Sequence, residues 1–342
     1  VDRMLEDIQP RCLVVFNGMF YPEAVARWTA QRRGTLVVSH EVGLQPFSAF
    51  FTTGEATAYP IDIPESFDLN PAQSARLDDY LNARFQGNFS MAGIQFWPEM
   101  RSLSPEMQAK IEQFKQVVPV FTNVVFDTSQ GHANVLYPHM FGWLNDVLSI
   151  IRQHPETLFI IRAHPDEHRG GKESCESVAD WVRRNQVESL ANVIFVDSRE
   201  YLSSYDLIQR SKYVMVYNST IGLEAAIMGA AVLCGGKARF TQIPTVFFPT
   251  TPAEYLQMAD RFLTSDRIEV PPEFQRNARR FLYVQLFRAS LPFDQYLIED
   301  GVWNGYVALK DFHPHALLPE HSQTMQVIHA GILEGGDFLL PL

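Results

Sequence analysis

Residues 213–234 read Tyr-Val-Met-Val-Tyr-Asn-Ser-Thr-Ile-Gly-Leu-Glu-Ala-Ala-Ile-Met-Gly-Ala-Ala-Val-Leu-Cys, and this stretch decides the fold. The apolar run 213–217 is too short for a helix and rich in valine, which predicts a buried strand. Asn218, Ser219 and Thr220 interrupt it with polar groups. A helix of small residues is predicted over 220–228, and a second buried strand over 231–234. Strands without polar alternation, joined through a helix, are the unit of a parallel sheet covered on both faces.

The same alternation extends upstream. Strands are predicted at 117–126, 158–162 and 193–196, separated by helices at 138–152, 174–185 and 201–209. Pro119 argues against placing the start of the first of these strands in the middle of a sheet. Before residue 117 the pattern is looser: a strand at 12–16 ending at Asn17-Gly18, a helix at 22–32, a strand at 35–39, and helices at 71–85 and 105–117. The stretch 41–71 reads as long loops. After Pro249 the chain reads as helices at 252–263 and 273–287 and a short one at 293–298. The tail after Lys310, rich in histidine, proline and glycine, is expected to pack back along the body. These changes of pattern divide the chain into 1–116, 117–290 and 291–342.

Composition narrows the function. With 342 residues, 46% hydrophobic and 20% charged, the chain is long enough for about two domains with ordinary cores. A net charge of −11 argues against non-specific nucleic-acid binding, while leaving room for a local basic pocket that holds a phosphate. Cys12, Cys175 and Cys234 are too few and too scattered for a disulfide framework or a cysteine zinc cluster. No apolar run is long enough to cross a membrane as a helix, and no basic segment leads into an apolar one as in a signal peptide. The sequence opens at Val1, from which a processed chain or a piece of a longer multidomain protein is expected.

In an open parallel sheet, ligands bind beyond the carboxyl ends of the strands. Three predicted ends carry polar residues: Ala163-His164-Pro165 after Arg162, Asn218-Ser219-Thr220, and Asp127-Thr128-Ser129. Free amides at a helix start attract anions, and the hydroxyls of Ser219 and Thr220 add donors; a plain cap with tight packing accounts for the same residues. Glu224, one turn further on, suits either a ribose diol or an exposed helix surface. His164 could donate to a phosphate or protonate a leaving oxygen. The histidines at 132, 139, 154, 164 and 168 form no His-Glu-x-x-His pattern, and Gly170-Gly171-Lys172 reads as a turn. The Gly-x-Gly-x-x-Gly fingerprint, the phosphate loop and the Gly-x-Ser-x-Gly elbow do not occur.

The run Thr122-Asn123-Val124-Val125-Phe126-Asp127-Thr128 resembles the strand that opens the second domain of the capsule polysaccharide biosynthesis glycosyltransferases. Trp143-Leu144, then Ile161-Arg162-Ala163-His164-Pro165 with Glu167, resemble that group's Arg-x-His-Pro region. Tyr217-Asn218-Ser219-Thr220 with Gly222, Glu224, Ala225, Gly229 and Val232 resembles its nucleotide-side helix. The resemblance covers roughly 117–290. It implies an α/β fold of two Rossmann-like domains facing a cleft (GT-B-like), with C-terminal helices, and a transferase that needs no fixed metal and no cofactor beyond its nucleotide-sugar donor.

On that resemblance, His164 contacts the nucleotide phosphate and Arg162 adds positive charge. Asn218, Ser219 and Thr220 form the turn that holds the phosphate or an acidic donor sugar, and Glu224 binds ribose. The acceptor, a glycan or lipid-linked glycan, falls to the first domain, which is shorter than such domains usually are. There His40 and Glu41 follow the second strand, and a carboxylate could deprotonate the attacking hydroxyl. Glu41 is favoured over His40; Asp127 is a third candidate whose place before Thr128 also fits a helix cap. The resemblance implies a cytoplasmic protein, with peripheral association at the inner face of a membrane. The alternatives are a nucleotide-sugar epimerase of the same architecture and a non-catalytic polysaccharide assembly protein.

Overall fold

The computed structural model describes residues 1–58, 60–86, 101–168, 175–302 and 306–342. The turn read at Gly170-Gly171-Lys172 lies outside them. The chain forms two compact units, Val1–Pro98 with Arg280–Leu342, and Glu99–Arg279. The divisions thus fall earlier than the sequence pattern places them, and the last segment belongs to the first unit.

The first unit opens with α1 (Asp2–Ile8), β1 (Cys12–Phe16), α2 (Tyr21–Arg32), β2 (Leu36–Val42), β3 (Ser48–Thr53) and α3 (Pro71–Phe85). β1 and β2 run parallel, with Cys12 opposite Leu36 and Phe16 opposite His40. β3 returns antiparallel to β2 within the stretch read as loop. Its alternating burial, with Phe50 inside, belongs to a half-covered strand, and the glycines and proline around it mask that period in the sequence. A small core of Leu5, Val15, Ala30 and Val37 joins α1 and α2 to one face of the sheet. Asn70 caps α3 in a reciprocal box with Gln73, and Pro71 follows at the first helical position.

The second unit contains α4 (Pro105–Ile111), β4 (Gln116–Phe121), α5 (Gln130–Ala133), α6 (Met140–Gln153), β5 (Thr157–Arg162), α7 (Val178–Arg184), β6 (Val193–Val196), α8 (Ser204–Gln209), β7 (Val214–Val216), α9 (Ile221–Ile227), β8 (Val232–Cys234), α10 (Pro252–Thr264) and most of α11 (Pro272–Val284). All five of its strands are parallel, in the order β6-β5-β4-β7-β8. Pro119 does sit in the central strand. β4 pairs with β5 over all six residues but with β7 only at Val120 and Phe121, so the proline's missing donor lies outside the shorter ladder. The core packs Trp143, Leu144, Val147 and Ile151 of α6 against Val118, Phe159, Ile161 and Met215 of the sheet.

The chain then returns to the first unit. α11 runs into a π-helical turn, Gln285–Ala289. β9 (Leu291–Pro292) adds to the free edge of β3. The helix predicted at 293–298 is not formed: β10 (Leu297–Glu299) pairs antiparallel with β11 (Val307–Leu309), a short ribbon with no strong pattern of its own. α12 (Gln323–Leu333) closes the unit, capped by Ser322. The tail packs back as expected: Phe338 is buried, and Leu340 exchanges hydrogen bonds of 2.8 and 2.9 Å with Arg288.

Candidate functional site

In the second unit, chain order runs outward from β4 through β5 to β6, then jumps to β7 on the other side of β4. The point where the winding reverses therefore lies between the carboxyl ends of β4 and β7, where neighbouring connections diverge and leave an opening. β4 ends at Phe121, five residues before the predicted end. The polar residues at that end are accordingly Thr122 and Asn123 rather than Asp127.

These residues tie three strand ends together. Thr122 Oγ1 donates to the Arg162 carbonyl at 3.0 Å, joining β4 to β5. Asn123 Nδ2 donates to Asn218 Oδ1 at 2.7 Å, joining β4 to β7. Asn123 Oδ1 accepts the Val124 amide at 2.9 Å, and Asn218 Nδ2 reaches Ser129 Oγ at 3.5 Å. Both asparagines are buried, as is Ser219. Asn123 carries no role in the sequence reading, although an asparagine directly after an apolar run is the same signal that marks Asn218.

His164 stands at the end of β5, half-buried. Its Nδ1 accepts the Asp166 amide at 3.2 Å, which places the neutral ring's proton on Nε2. Burial lowers its proton affinity; Asp166 and Asp127 oppose that, and Arg162 adds to it. Adjacent strands lie about 4.8 Å apart, so the ends of β5 and β7, on either side of β4, are about 10 Å apart. The structure therefore brings His164, Asn123, Asn218, Ser219 and Thr220 to one side of the sheet at neighbouring positions.

Other predicted residues take different places. Arg162 is buried and donates to the carbonyl of Leu202; burial lowers its pKa to about 10, with Glu200 and Tyr205 opposing. It holds the β5 end to the chain before α8. Glu224 is not on an exposed helix surface but buried, accepting from Tyr205 Oη at 2.6 Å. Thr220 is the exposed N-cap of α9 and makes no side-chain cap. The amides of Gly222, Leu223 and Glu224 already donate to the carbonyls of Ser219 and Thr220, so the helix start offers fewer open donors than the sequence suggests. Asp127 is exposed and caps a turn, its Oδ1 accepting the Ser129 amide at 2.7 Å. Glu167 is buried, and both its oxygens accept the first amide of α7, at Val178.

In the first unit, His40 and Glu41 lie at the end of β2 beside Asn17 at the end of β1. Asn17 Nδ2 donates to Glu41 Oε2 at 2.6 Å, and the Val42 amide donates to Oε1 at 3.0 Å. The His40 ring lies 5.6 Å from Phe16 and 5.4 Å from Phe51, and burial lowers its proton affinity against the pull of Glu41. Among the described residues, no group of three or more His, Cys, Asp or Glu side chains is placed to hold a metal ion. Among them, no helix is long and apolar enough to cross a membrane.

Residues 95–244 match the family described as capsule polysaccharide biosynthesis protein. The match spans the strand ends of the second unit, and it bears out the resemblance carried by the motifs. No curated protein matches the chain significantly in sequence. Among solved structures, the chain is similar to Thermosulfurimonas dismutans KpsC, beta Kdo 2,4 transferase, at 10% identity and a TM-score of 0.51, covering 82% of this chain and 79% of that one. KpsC, beta Kdo 2,7 transferase, from the same organism gives 13% identity and 0.46 over 86% and 83%. The UDP-GlcNAc 2-epimerase of Methanocaldococcus jannaschii, in complex with UDP-GlcNAc and UDP, gives 10% and 0.37 over 82% and 77%. Of these three, the first speaks for the fold, which is α/β and GT-B-like.

Proposed function

We propose that the protein is a glycosyltransferase of capsular or other surface polysaccharide synthesis, whose second unit binds a nucleotide-sugar donor. The observation that carries this is the reversal point between β4 and β7, bridged by Asn123 and Asn218 and flanked by His164 and Ser219. Amide, hydroxyl and imidazole donors at that opening suit a phosphate. His164, with its proton on Nε2, donates to the phosphate and offsets charge as the donor bond breaks. In the first unit, Glu41 takes the proton of the attacking hydroxyl. The lowered basicity of His40 supports that choice. The acceptor is a glycan or lipid-linked glycan, met at the cytoplasmic face of a membrane.

The test is thermal unfolding of the full chain with CMP-, UDP-, GDP- and dTDP-sugars. One donor class is expected to raise the transition temperature, because a ligand that binds only the folded state stabilises it. The double variant His164→Ala, Ser219→Ala is expected to lose that shift. With the donor found, a glycan product rather than an epimerised sugar nucleotide is expected. No shift with any nucleotide at millimolar concentration would overturn the reading.

A further inference from the structure

The turn that carries His164 is held by a buried carboxyl that no step of the transfer uses. Beyond β5 the chain makes one 3-10 turn, Pro165–His168, closed by the Glu167 amide donating to the His164 carbonyl at 3.1 Å. The Asp166 amide donates to His164 Nδ1 at 3.2 Å. Both bonds belong to the same short backbone, so the turn sets the place of the ring and the nitrogen that carries its proton together. The entry to the turn is fastened to β6, where the Ala163 amide donates to the Val196 carbonyl at 3.0 Å. The exit is fastened by a side chain. Glu167 points inward, 1% exposed, and its Oε1 and Oε2 accept the Val178 amide of α7 at 3.0 and 3.3 Å. A single 3-10 turn has poor hydrogen-bond geometry of its own, so this outside anchor decides its shape.

A cap for α7 alone does not account for the arrangement. Ser177 already caps that helix, its Oγ accepting the Asp180 amide at 3.0 Å. The Val178 amide is a first-turn donor, which water satisfies at ordinary helix starts. Burying a carboxyl to meet it costs desolvation. Burial accordingly raises the proton affinity of Glu167; the Val178 amide opposes this, and Asp197 and Asp180 add to it. Asp166 and His168 are its titratable neighbours on the turn itself. As a neutral acid the side chain keeps its place inside. Ionised, it is drawn towards water and takes the turn with it.

We propose that Glu167 is the positioning residue of His164: its carboxyl, anchored at the start of α7, fixes the turn that aims the imidazole, and its ionisation releases that turn. Its effect on a donor phosphate rests on the transferase reading; the coupling of Glu167 to His164 does not. Glu167 touches no substrate and acts only through the turn. Donor binding is then strongest while Glu167 is neutral and weakens as pH rises through its midpoint. Protonation of His164 itself would favour an anion in the same direction. Glu167→Gln separates the two, because it keeps the anchor uncharged and leaves His164 free to titrate.

The experiment has two arms on the full chain. The first is histidine nitrogen NMR without nucleotide, with the His164 signals identified by their loss in His164→Ala. In wild type the ring proton is expected on Nε2 at about pH 6 and shared between the two nitrogens at about pH 8. Glu167→Gln is expected to keep it on Nε2 at both, and Glu167→Ala to share it at both. The second arm is calorimetric titration with the nucleotide-sugar that raises the transition temperature. Wild-type affinity is expected to fall by about tenfold between the two pH values, the worth of one hydrogen bond to a charged group. Glu167→Gln is expected to change by less than about twofold and Glu167→Ala to bind weakly throughout. Should Glu167→Ala not fold, the contrast between wild type and Glu167→Gln at the higher pH decides alone. The same His164 proton position in every protein overturns the proposal, as does an equal fall in affinity in wild type and Glu167→Gln. A proton shift at His164 with no nucleotide bound by any protein would keep the coupling and sink the transferase reading; nucleotide binding with His164 unmoved would do the reverse.

Discussion

The two units end their parallel strands with the same device and different partners. In each, an asparagine just past a strand reaches across to the neighbouring strand: Asn123 to Asn218 at 2.7 Å in the second unit, Asn17 to Glu41 at 2.6 Å in the first. In the second unit the partner is a neutral amide, and Ser129 and Ser219 add hydroxyls. In the first it is a carboxylate. A neutral, donor-rich opening accepts an anion without repulsion, whereas a braced carboxylate accepts hydrogen bonds and protons from hydroxyls. The difference between the two strand ends comes down to one amide or one acid.

The sharpest way to break this comparison is to exchange that chemistry. Asn218→Asp keeps the oxygen that accepts from Asn123 and adds a negative charge where phosphate is expected. Two like charges about 4 Å apart interact with about 4 kcal/mol near a protein surface, so donor affinity should fall by about a thousandfold. Glu41→Gln, which removes charge in the other unit, should leave donor affinity unchanged. Calorimetric titration of both variants checks the contrast. Equal donor affinity in Asn218→Asp and wild type would remove the phosphate from this opening.

Glu167 sharpens the point from the side of stability. The second unit does contain a buried carboxylate close to its site, and burial pushes its pKa up to about 7, with the Val178 amide pulling the other way. The folded state then holds a proton more tightly than the unfolded chain does. Its contribution to stability is full below about pH 4.5 and is lost as pH rises towards 7. That displacement corresponds to about 3 kcal/mol. Glu167→Gln keeps an oxygen for the Val178 amide and has no proton to lose. Denaturant titrations at pH 5 and pH 8 should therefore show wild type losing about 3 kcal/mol relative to the variant between the two. A parallel response of the two proteins would show that Glu167 ionises normally.

How much of this was legible follows from what a strand's sequence records. The second unit's strands are buried on both faces, and unbroken runs such as Leu158–Ile161 declare themselves. Their order along the chain gave the alternation of strand and helix from which the sheet could be read. In the first unit, β3 exposes alternate residues and lies among prolines and glycines, so its period of two was lost in apparent loop. The strands β10 and β11, Leu-Ile-Glu and Val-Ala-Leu, are apolar but three residues long, too short to show a period. At the site, residue types were legible and partners were not. His164 and Asn218 stand after recognisable strands, but nothing in the sequence says that Arg162 turns inward to Leu202 or that Glu224 meets Tyr205. Those contacts join residues 40 and 19 positions apart and depend on how strands and helices are laid side by side.

The smallest predicted effect concerns how closely a helix can approach a strand end. Gly18 in the first unit is required by its backbone, at φ 82°, whereas Gly222 in α9 is required by its neighbours. A Cβ there would stand 2.9 Å from Val216 Cγ2 and 3.2 Å from the ring of Phe240, both buried. Val216 is β-branched and held in β7, so the helix must move rather than the side chain. Overpacking costs about 1–3 kcal/mol, and alanine's better helix propensity returns about 1, leaving a net loss of about 1 kcal/mol for Gly222→Ala. The more telling readout is binding. Gly222 lies two residues beyond Thr220 and three beyond Ser219, so displacing α9 from β7 moves that turn away from Asn123. Donor affinity should therefore fall by several-fold. A stability loss with donor affinity intact would mean that the α9 start supports the sheet without touching the nucleotide, and would return Ser219 and Thr220 to the role of a plain helix cap.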